Sequence, residues 1–508
     1  MFSEGERRFL ISVSRLAYCN PFLPERTVHE RGALGKDYVA REAVWSASIG
    51  DPEASNPNVD LLHTRLAPLI EKIRARAWPG ADHGMDKDEL AIYEECVHHL
   101  LYLRYYPQFV AAGERAGPSG YAFFRKFAAD WERYLTRDGV HSETASDAPH
   151  FFACFRQVQR AFHHIFDNII GNSMPAARLR ASVWQSVFTH DLRRYRRTLY
   201  ARLGDFPTLV TGPSGTGKEL VARAIAGSRY VPFDPVACRF ADPAGETFLA
   251  VNLAALSPTL IESELFGHRR GAFTGAIADR KGWLESCPAT GSVFLDELGE
   301  MELSIQVKLL RVIEGRTFSR VGDTAVREFA GKLIAATNRD LALEIQSGRF
   351  REDLYYRLCA DLIRTPSMRE QIEDSPGVLQ DLLLFMVRRA VGDEAERCLP
   401  EVESWVRTNL PAEYTWPGNY RELEQCVRNV IIRGSYQPIA DRTAREDESF
   451  LTRFRQGELT VDQVTSCYAA LVHRRTGTYE ETARRLGIDR RTVKSRVEAF
   501  LASATKIQ

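Results

Sequence analysis

Apolar residues recur at alternating steps of four and three through 151-FFACFRQVQRAFHHIFDNII-170, at Phe151, Phe155, Val158, Phe162, Ile165 and Ile169. That spacing puts all six on one face of a helix. The pattern lasts only about three heptads, which favours a core-facing helix over a coiled-coil seam. The stretches 88-DELAIYEECVHHLLYLRYY-106 and 122-AFFRKFAADWERYL-135 also predict helices, so residues 1–165 read as mainly helical. Segments 49–58 and 138–149 read as loops. From residue 205 the texture changes to short apolar strands alternating with helices and glycine-rich turns, an α/β pattern. Helical character returns after Pro366, 436–449 is polar and linker-like, and a small helical unit closes the chain.

A chain of 508 residues is too long for one core, so several domains are expected. Lys plus Arg and Asp plus Glu both number 67, so no global field draws the protein to nucleic acid or membrane. Any nucleic-acid role must rest on a local basic patch. Nine cysteines are scattered without a CxxC pair, the usage of reduced, buried thiols in a cytoplasmic protein. The N-terminus lacks a secretory apolar region, and no run approaches the roughly 20 apolar residues that span a bilayer, so no membrane role is expected. The pairs His98–His99 and His163–His164 invite a metal hypothesis. Adjacent helical positions point in different directions, so neither pair is a natural chelate.

The first chemistry-bearing motif is PTLV at 207–210, then 212-GPSGTGK-218, then 219-ELVARAIAG-227. Strand, glycine loop and helix stand in the order a phosphate-binding loop requires. The loop Gly212, Pro213, Ser214, Gly215, Thr216 and Gly217 would wrap the nucleotide, with backbone N–H groups around Gly215 and Gly217 cradling phosphate oxygens at a positive helix N-terminus and Lys218 reaching the β- and γ-phosphates. The generic pattern wants Ser or Thr after the lysine. Glu219 stands there, which puts hydroxyl ligation of magnesium from the loop in doubt. The second motif, 291-GSVFLDELGEM-301, is a buried-strand signal ending in two acids. Asp296 would hold Mg2+, directly or through water, and Glu297 would orient the attacking water.

The segment 271-GAFTGA-276 is too glycine-rich for a helix or strand interior. Alone it is a tight turn whose Phe docks into the core. At the C-terminus, Thr460 and Gln463 fit a capping box, 479-YEETARRL-486 is a short helix, Gly487 and Ile488 make a turn, and Asp489 caps 490-RRTVKSRVEAFL-501. A helix, a tight turn and a basic second helix make the helix-turn-helix pattern. Between 474 and 500, eight basic residues stand against four acidic ones. Arg490, Arg491, Thr492, Lys494, Ser495 and Arg496 would face the groove and phosphates of double-stranded DNA, with Val493 and Val497 packed inward. The alternative is a solvated basic hairpin.

A colinear series of motifs resembles the AAA+ domain of bacterial enhancer-binding proteins, the activators of sigma-54 RNA polymerase. It comprises 212-GPSGTGKELVARAIA-226, 248-FLAVNLAALSPTLIESELFGHRRGAFTGA-276, 291-GSVFLDELGEM-301, 306-QVKLLRVIEGRTFSRVG-322, 333-LIAATNRDL-341, 349-RFREDLYYRL-358 and 415-TWPGNYRELEQCVRNVII-432. The resemblance implies an ATPase that takes ATP and Mg2+, works as a homo-oligomer (hexamer or heptamer) and binds an upstream DNA site. It implies that Gly271, Ala272, Phe273, Thr274, Gly275 and Ala276 form a loop that contacts sigma-54. It implies that Asn252 is the switch residue coupling the acidic pair to that loop, and that Thr337 and Asn338 lie in the sensor I strand. Arg351 and Arg357 match the fingers that reach a neighbouring subunit's nucleotide, Arg421 matches the sensor II arginine, and Ile169, Ile170 and Gly171 match the residues beside the adenine. The C-terminal unit resembles the Fis-type DNA-binding domain.

The implied fold is multidomain α/β. A mainly helical regulatory domain covers 1–165, an AAA+ P-loop core 166–364 and a helical lid 365–435. A linker at 436–457 and the helix-turn-helix at 458–508 follow. The sequence departs from the family at Pro213, where Glu is usual, in a longer 227–247 segment, in an Arg-rich 174–205 segment and in the lid entry, 364–379. Two alternatives stay open: an AAA+ motor of another class, and a DNA-binding regulator without sigma-54 activation. The first has no reason to keep GAFTGA. Intact Lys218, Asp296, Glu297, Arg351 and Arg357 argue against the second.

Overall fold

The computed structural model describes residues 2–40, 56–77, 85–113, 118–137, 140–141, 144–241, 248–411, 413–438, 454, 457 and 459–505. Most of the 436–457 linker therefore lies outside the described residues, as does most of the 49–58 loop. The chain forms two compact units, one running to Ile431 and the second from Ile432.

The first unit opens with helices Glu4–Tyr18, Glu25–Leu34, Pro57–Ala77, Lys87–Ala112, Phe124–Leu135 and Ala148–Asn168. The first starts at a Ser3–Glu6 capping box. In the last, Phe151, Phe155, Val158 and Ile165 are buried, as is Ile169 just past its end, while Phe162 is half-buried, so the alternating spacing marks the inward face. This helix runs through residue 165 and lies along helix Lys218–Gly227, which follows the glycine loop. His164 presses its ring against Gly227 there, leaving no room for a side chain at that glycine.

The central sheet has five parallel strands: β1 Thr208–Thr211, β2 Phe248–Asn252, β3 Ser292–Asp296, β4 Lys332–Thr337 and β5 Asp361–Arg364. Their order is β5-β1-β4-β3-β2. Strands β1, β3 and β4 read as near-continuous apolar runs because helices cover both faces. Every residue of β4 is buried, Lys332 among them. Its ammonium donates to the carbonyl of Phe206 at 3.0 Å, and burial pulls its pKa down to about 8. Helices Met368–Asp374, Val378–Val391, Ala395–Asn409 and Asn419–Arg433 follow, as the return of helical character after Pro366 predicts.

The long 227–247 segment has a structural purpose. Its described part, 227–241, contains a hairpin, Phe233–Asp234 with Arg239–Phe240, whose two Phe rings enter the aromatic core of the N-terminal helices. Phe233 lies 4.6 Å from Phe152 and 4.7 Å from Phe124, centroid to centroid. Arg156 sits 4.3 Å over Phe240 while its Nε donates to the Tyr121 hydroxyl at 2.9 Å. The hairpin and the N-terminal helices thus share one core.

The second unit contains helices Val461–Thr476, Tyr479–Leu486 and Arg490–Thr505. The Thr460–Gln463 capping box is present. Val493 and Val497 are buried against Ala469, as expected.

Candidate nucleotide-binding site

Strand β1 ends at Thr211 and the chain turns through Gly212–Gly217 into helix Lys218–Gly227. Gly215 and Gly217 adopt left-handed φ values of 76° and 84°, where a side chain is strained. A Cβ on Gly215 would also collide with the carbonyl oxygen of Gly418. Lys218 folds back so that Nζ donates to the carbonyls of Gly212 and Pro213, both at 3.1 Å. Thr216 ties the loop to β5's exit, its hydroxyl 2.7 Å from that of Thr365. Among the described residues no acceptor meets the backbone N–H groups of Gly215, Thr216 and Gly217. Unpaired donors, a positive helix end and a lysine in one concavity fit a polyphosphate.

The acidic pair stands at the end of the neighbouring strand but one. Asp296 closes β3, and burial pushes its carboxyl up from the usual range. Lys218 is pulled down chiefly by burial, an effect that the nearby Glu297 and Asp296 carboxylates oppose. Both charges are therefore penalised by desolvation, which a phosphate chain and a divalent cation would offset. Glu297 adopts a left-handed φ of 55°, unusual for a non-glycine residue, and its N–H donates to its neighbour Asp296 Oδ1 at 3.0 Å. Glu219 points away, pairing with Arg223 at 2.7 Å. Its charge also helps to raise the Asp296 carboxyl.

Asn252 ends β2 directly opposite Asp296 in the parallel register. Its Oδ1 accepts from the Ala254 N–H at 2.9 Å, and no bond to Glu297 occurs among the described residues. Thr337 ends β4 fully buried and accepts from the Arg339 N–H, while Asn338 is exposed.

The lid closes directly on the loop. The N–H of Tyr420 donates to the carbonyl of Gly215 at 3.0 Å, and Nδ2 of Asn419 to that of Ser214 at 2.9 Å. Arg421 reaches Ser214 Oγ at 3.5 Å. Asn419 also accepts from the Met368 N–H at 2.8 Å, with φ at 52°, so one strained residue pins lid to loop. Sequence reasoning missed Asn419. Its position beside Gly418, at a helix start next to Arg421, was the available signal. Ile170 is half-buried, and the flanking carbonyls of Ile169 and Gly171 both accept from Arg180 Nη1.

Two further sets of residues lie outside this concavity. Arg351 and Arg357 sit at helix Glu352–Leu358 with exposed side chains, Arg351 paired bidentately with Asp353 and Arg357 with Glu314. The Gly271–Ala276 loop stands on the short ladder of Gly267–His268 with Arg280–Lys281. Gly271 and Gly275 take φ values of 81° and 100°, and the Gly271 N–H donates to the Ala276 carbonyl at 2.8 Å. Phe273 is half-buried edge-on against His268, with centroids 5.0 Å apart, while Thr274 is exposed. Ile277 beside it is 85% exposed.

In the second unit, Asp489 caps the last helix by accepting from the Thr492 N–H at 2.9 Å. Arg490, Arg491, Lys494 and Ser495 are exposed, and Thr492 and Arg496 are half-exposed. Arg496 pairs with Asp462 and Arg490 with Glu480, which leaves Arg491 the least engaged. Among the described residues no group of three His, Cys, Asp or Glu could hold a metal, and no helix is long and apolar enough to cross a membrane.

A family model described as "Sigma-54 interaction domain" matches residues 188–364. The Nif-specific regulatory protein of Azotobacter vinelandii is 44% identical over 225 residues, 44% of this chain and 39% of that protein. The regulatory protein LuxO of Vibrio vulnificus is 43% identical over 229 residues, 44% of this chain and 45% of that protein. The transcriptional regulatory protein ZraR of Escherichia coli is 38% identical over 291 residues, 56% of this chain and 61% of that protein. The chain thus spans less than half of the first two. A crystal structure of NtrX from Brucella abortus in complex with ATP matches at 24% identity and a TM-score of 0.39, covering 70% of this chain and 76% of that one.

Proposed function

We propose, from the match of residues 188–364 to the sigma-54 interaction domain, that the protein is an ATP-hydrolysing activator of sigma-54 RNA polymerase of the AAA+ class. The observation that carries the proposal is one chain holding the Gly212–Lys218 loop, the Asp296–Glu297 pair and an exposed Gly271–Ala276 loop on the same core.

ATP supplies the phosphoryl group and the free energy, and Mg2+ neutralises charge between its phosphates. The chain's own residues divide the remaining work. The loop amides of Gly215, Thr216 and Gly217 bind the phosphates, and Lys218 balances their charge. Asp296 would hold the cation, the more so because Glu219 is engaged with Arg223. Glu297 orients the water. Arg421 and Asn419 bring the lid onto the same loop. Asn252, in register with Asp296, ends the strand from which the chain runs through helix Pro258–Phe266 to the Gly271–Ala276 loop, so a change at the acidic pair would reach that loop through this helix. The protein works in the cytoplasm, as a homo-oligomer on double-stranded DNA, which it holds through Arg490, Arg491, Lys494 and their neighbours.

Thr274 is exposed and lies outside the nucleotide concavity. Thr274→Ala is therefore expected to change ATPase by no more than about twofold, as surface substitutions of about 0.5 kcal/mol or less do. Sigma-54-dependent transcription in vitro should fall at least ~10-fold, about 1.4 kcal/mol of lost contact. Normal activation by this variant would show that the loop is not the sigma-54 contact.

Removing 459–508 should leave ATPase activity while footprinting on the upstream site shows a loss of ~10³-fold or more, the usual gap between specific and non-specific DNA affinity. Unchanged protection would sink the assignment of the last helix to DNA.

A further inference from the structure

A cavity of about 100 Å³ lies between the N-terminal helices and the segment that opens the ATPase core. Ala17, Tyr102, Val158, Phe162 and Trp184 make its walls apolar and largely aromatic. One permanent charge lines it, Arg196, and no carboxylate does. Arg196 is only 8% exposed, and its Nε and Nη1 meet no hydrogen-bond partner among the described residues. What surrounds the guanidinium is rings: Tyr18 at 5.4 Å, Phe151 at 5.6 Å and Phe155 at 5.7 Å. The nearest comparison is its neighbour Arg193, which is fully engaged with Glu95. His98 also lines the cavity, stacked on Trp131, with both ring nitrogens unpartnered among the described residues. Burial and the Arg196 charge keep the imidazoles of His98 and His99 neutral, His99 falling to about 4.

The backbone that presents Arg196 is unusual too. Residues Tyr195–Leu199 form a π-helical turn, a local distortion that tends to persist where a side chain must be aimed at a site. A buried guanidinium without an anion is costly, and folds retain such groups where function uses them. We propose that this cavity binds a small carboxylic acid with an aromatic or branched apolar body. The carboxylate pairs with Arg196, the body fills the space against Trp184 and Tyr102, and a neutral His98 offers one further hydrogen bond. At about 100 Å³ the cavity is smaller than the roughly 150 Å³ that accepts one benzene ring, so it selects the most compact of such acids. Its walls come from both the N-terminal helices and the ATPase core, so an occupant bridges the two.

Titration calorimetry on the full chain with benzoate, phenylacetate and 3-methylbutanoate tests this, with benzamide as the uncharged control. At least one acid should bind saturably with a Kd of about 1 mM or tighter. Benzamide should bind at least ~10-fold more weakly than benzoate, because it lacks the charge-assisted bidentate pair. Arg196→Met should lose acid binding while keeping or raising the thermal midpoint, since it removes a desolvated charge at similar length. Ala17→Phe, which fills the cavity and leaves Arg196 in place, should also abolish binding, and it decides the matter if the Met variant does not fold. Three results would overturn the proposal: no saturable acid binding, equal binding of benzoate and benzamide, or binding retained in Ala17→Phe. The readout is binding alone, so its failure would leave the ATPase assignment standing.

Discussion

Replacing Lys218 with Ala is expected to abolish ATP hydrolysis and, with it, transcription activation. Lys218 stands at the Gly212–Gly217 concavity with Nζ held by two loop carbonyls at 3.1 Å. Removing a single preorganised group that faces developing charge costs about 10²–10³ in kcat. The lysine also contributes to holding the ground-state phosphates, so affinity for a fluorescent ATP analogue should fall as well. Folding should survive. The ammonium is penalised by burial in the free protein, so its loss removes a desolvated charge rather than a buried partner. The thermal midpoint without nucleotide should therefore stay close to that of the parent. A variant that keeps more than about a tenth of the parent's ATPase, a loss under 1.4 kcal/mol in barrier, would show that Lys218 does not serve the phosphates.

Much of this site was legible in the sequence because its parts are local. A short apolar strand, glycines that must take positive φ and a lysine at a helix start are fixed by a few consecutive residues, and the structure places them so at Thr208–Lys218. Asp296 at the end of β3 was legible for the same reason, since a strand buried on both faces announces itself and its last residue. The six-residue spacing in Ala148–Asn168 was also readable, because one helix face is a local pattern. What escaped was long-range. Nothing near Phe233 and Phe240 says that they enter a core built by Phe124 and Phe152, more than 80 residues earlier. Asn419 looks like an ordinary helix-start residue until its bonds to Ser214 and Met368 are seen. Arg196 disappears among the arginines of an Arg-rich stretch, and only burial separates it from Arg193 and Arg194.

The shared core has a consequence for regulation. Helix Ala148–Asn168 packs on the helix that carries Lys218, while its other surface belongs to the aromatic core that holds Phe233 and Phe240. The N-terminal helices are thus joined to the ATPase by continuous packing and not only by the chain. Close-packed interiors transmit displacement instead of absorbing it. An event in the N-terminal helices has a direct physical route to the glycine loop. The sign of its effect depends on which arrangement of that core each nucleotide state favours.

The second large effect concerns Arg351 and Arg357. Arg351→Ala and Arg357→Ala are each expected to lower kcat by ~10³-fold or more while leaving nucleotide affinity nearly unchanged, the behaviour of a finger supplied in trans. Within one chain neither arginine serves the nucleotide concavity. Arg351 is held by Asp353 and Arg357 by Glu314, and both are exposed. Such surface pairs are weak, so a neighbour's phosphates can outcompete them. The test is a mixing experiment. Neither the Arg351→Ala variant nor the Lys218→Ala variant should hydrolyse ATP alone. Mixed, the first supplies an intact loop and the second an intact finger, so hydrolysis should reappear at the interfaces that combine them. ATPase per molecule of the parent should likewise rise with protein concentration before it levels off. If the mixture stays silent while both variants still assemble, and the parent's specific activity is flat with concentration, the two arginines are surface residues with no part in hydrolysis. If the mixture recovers activity, each site is completed by its neighbour, and hydrolysis depends on assembly.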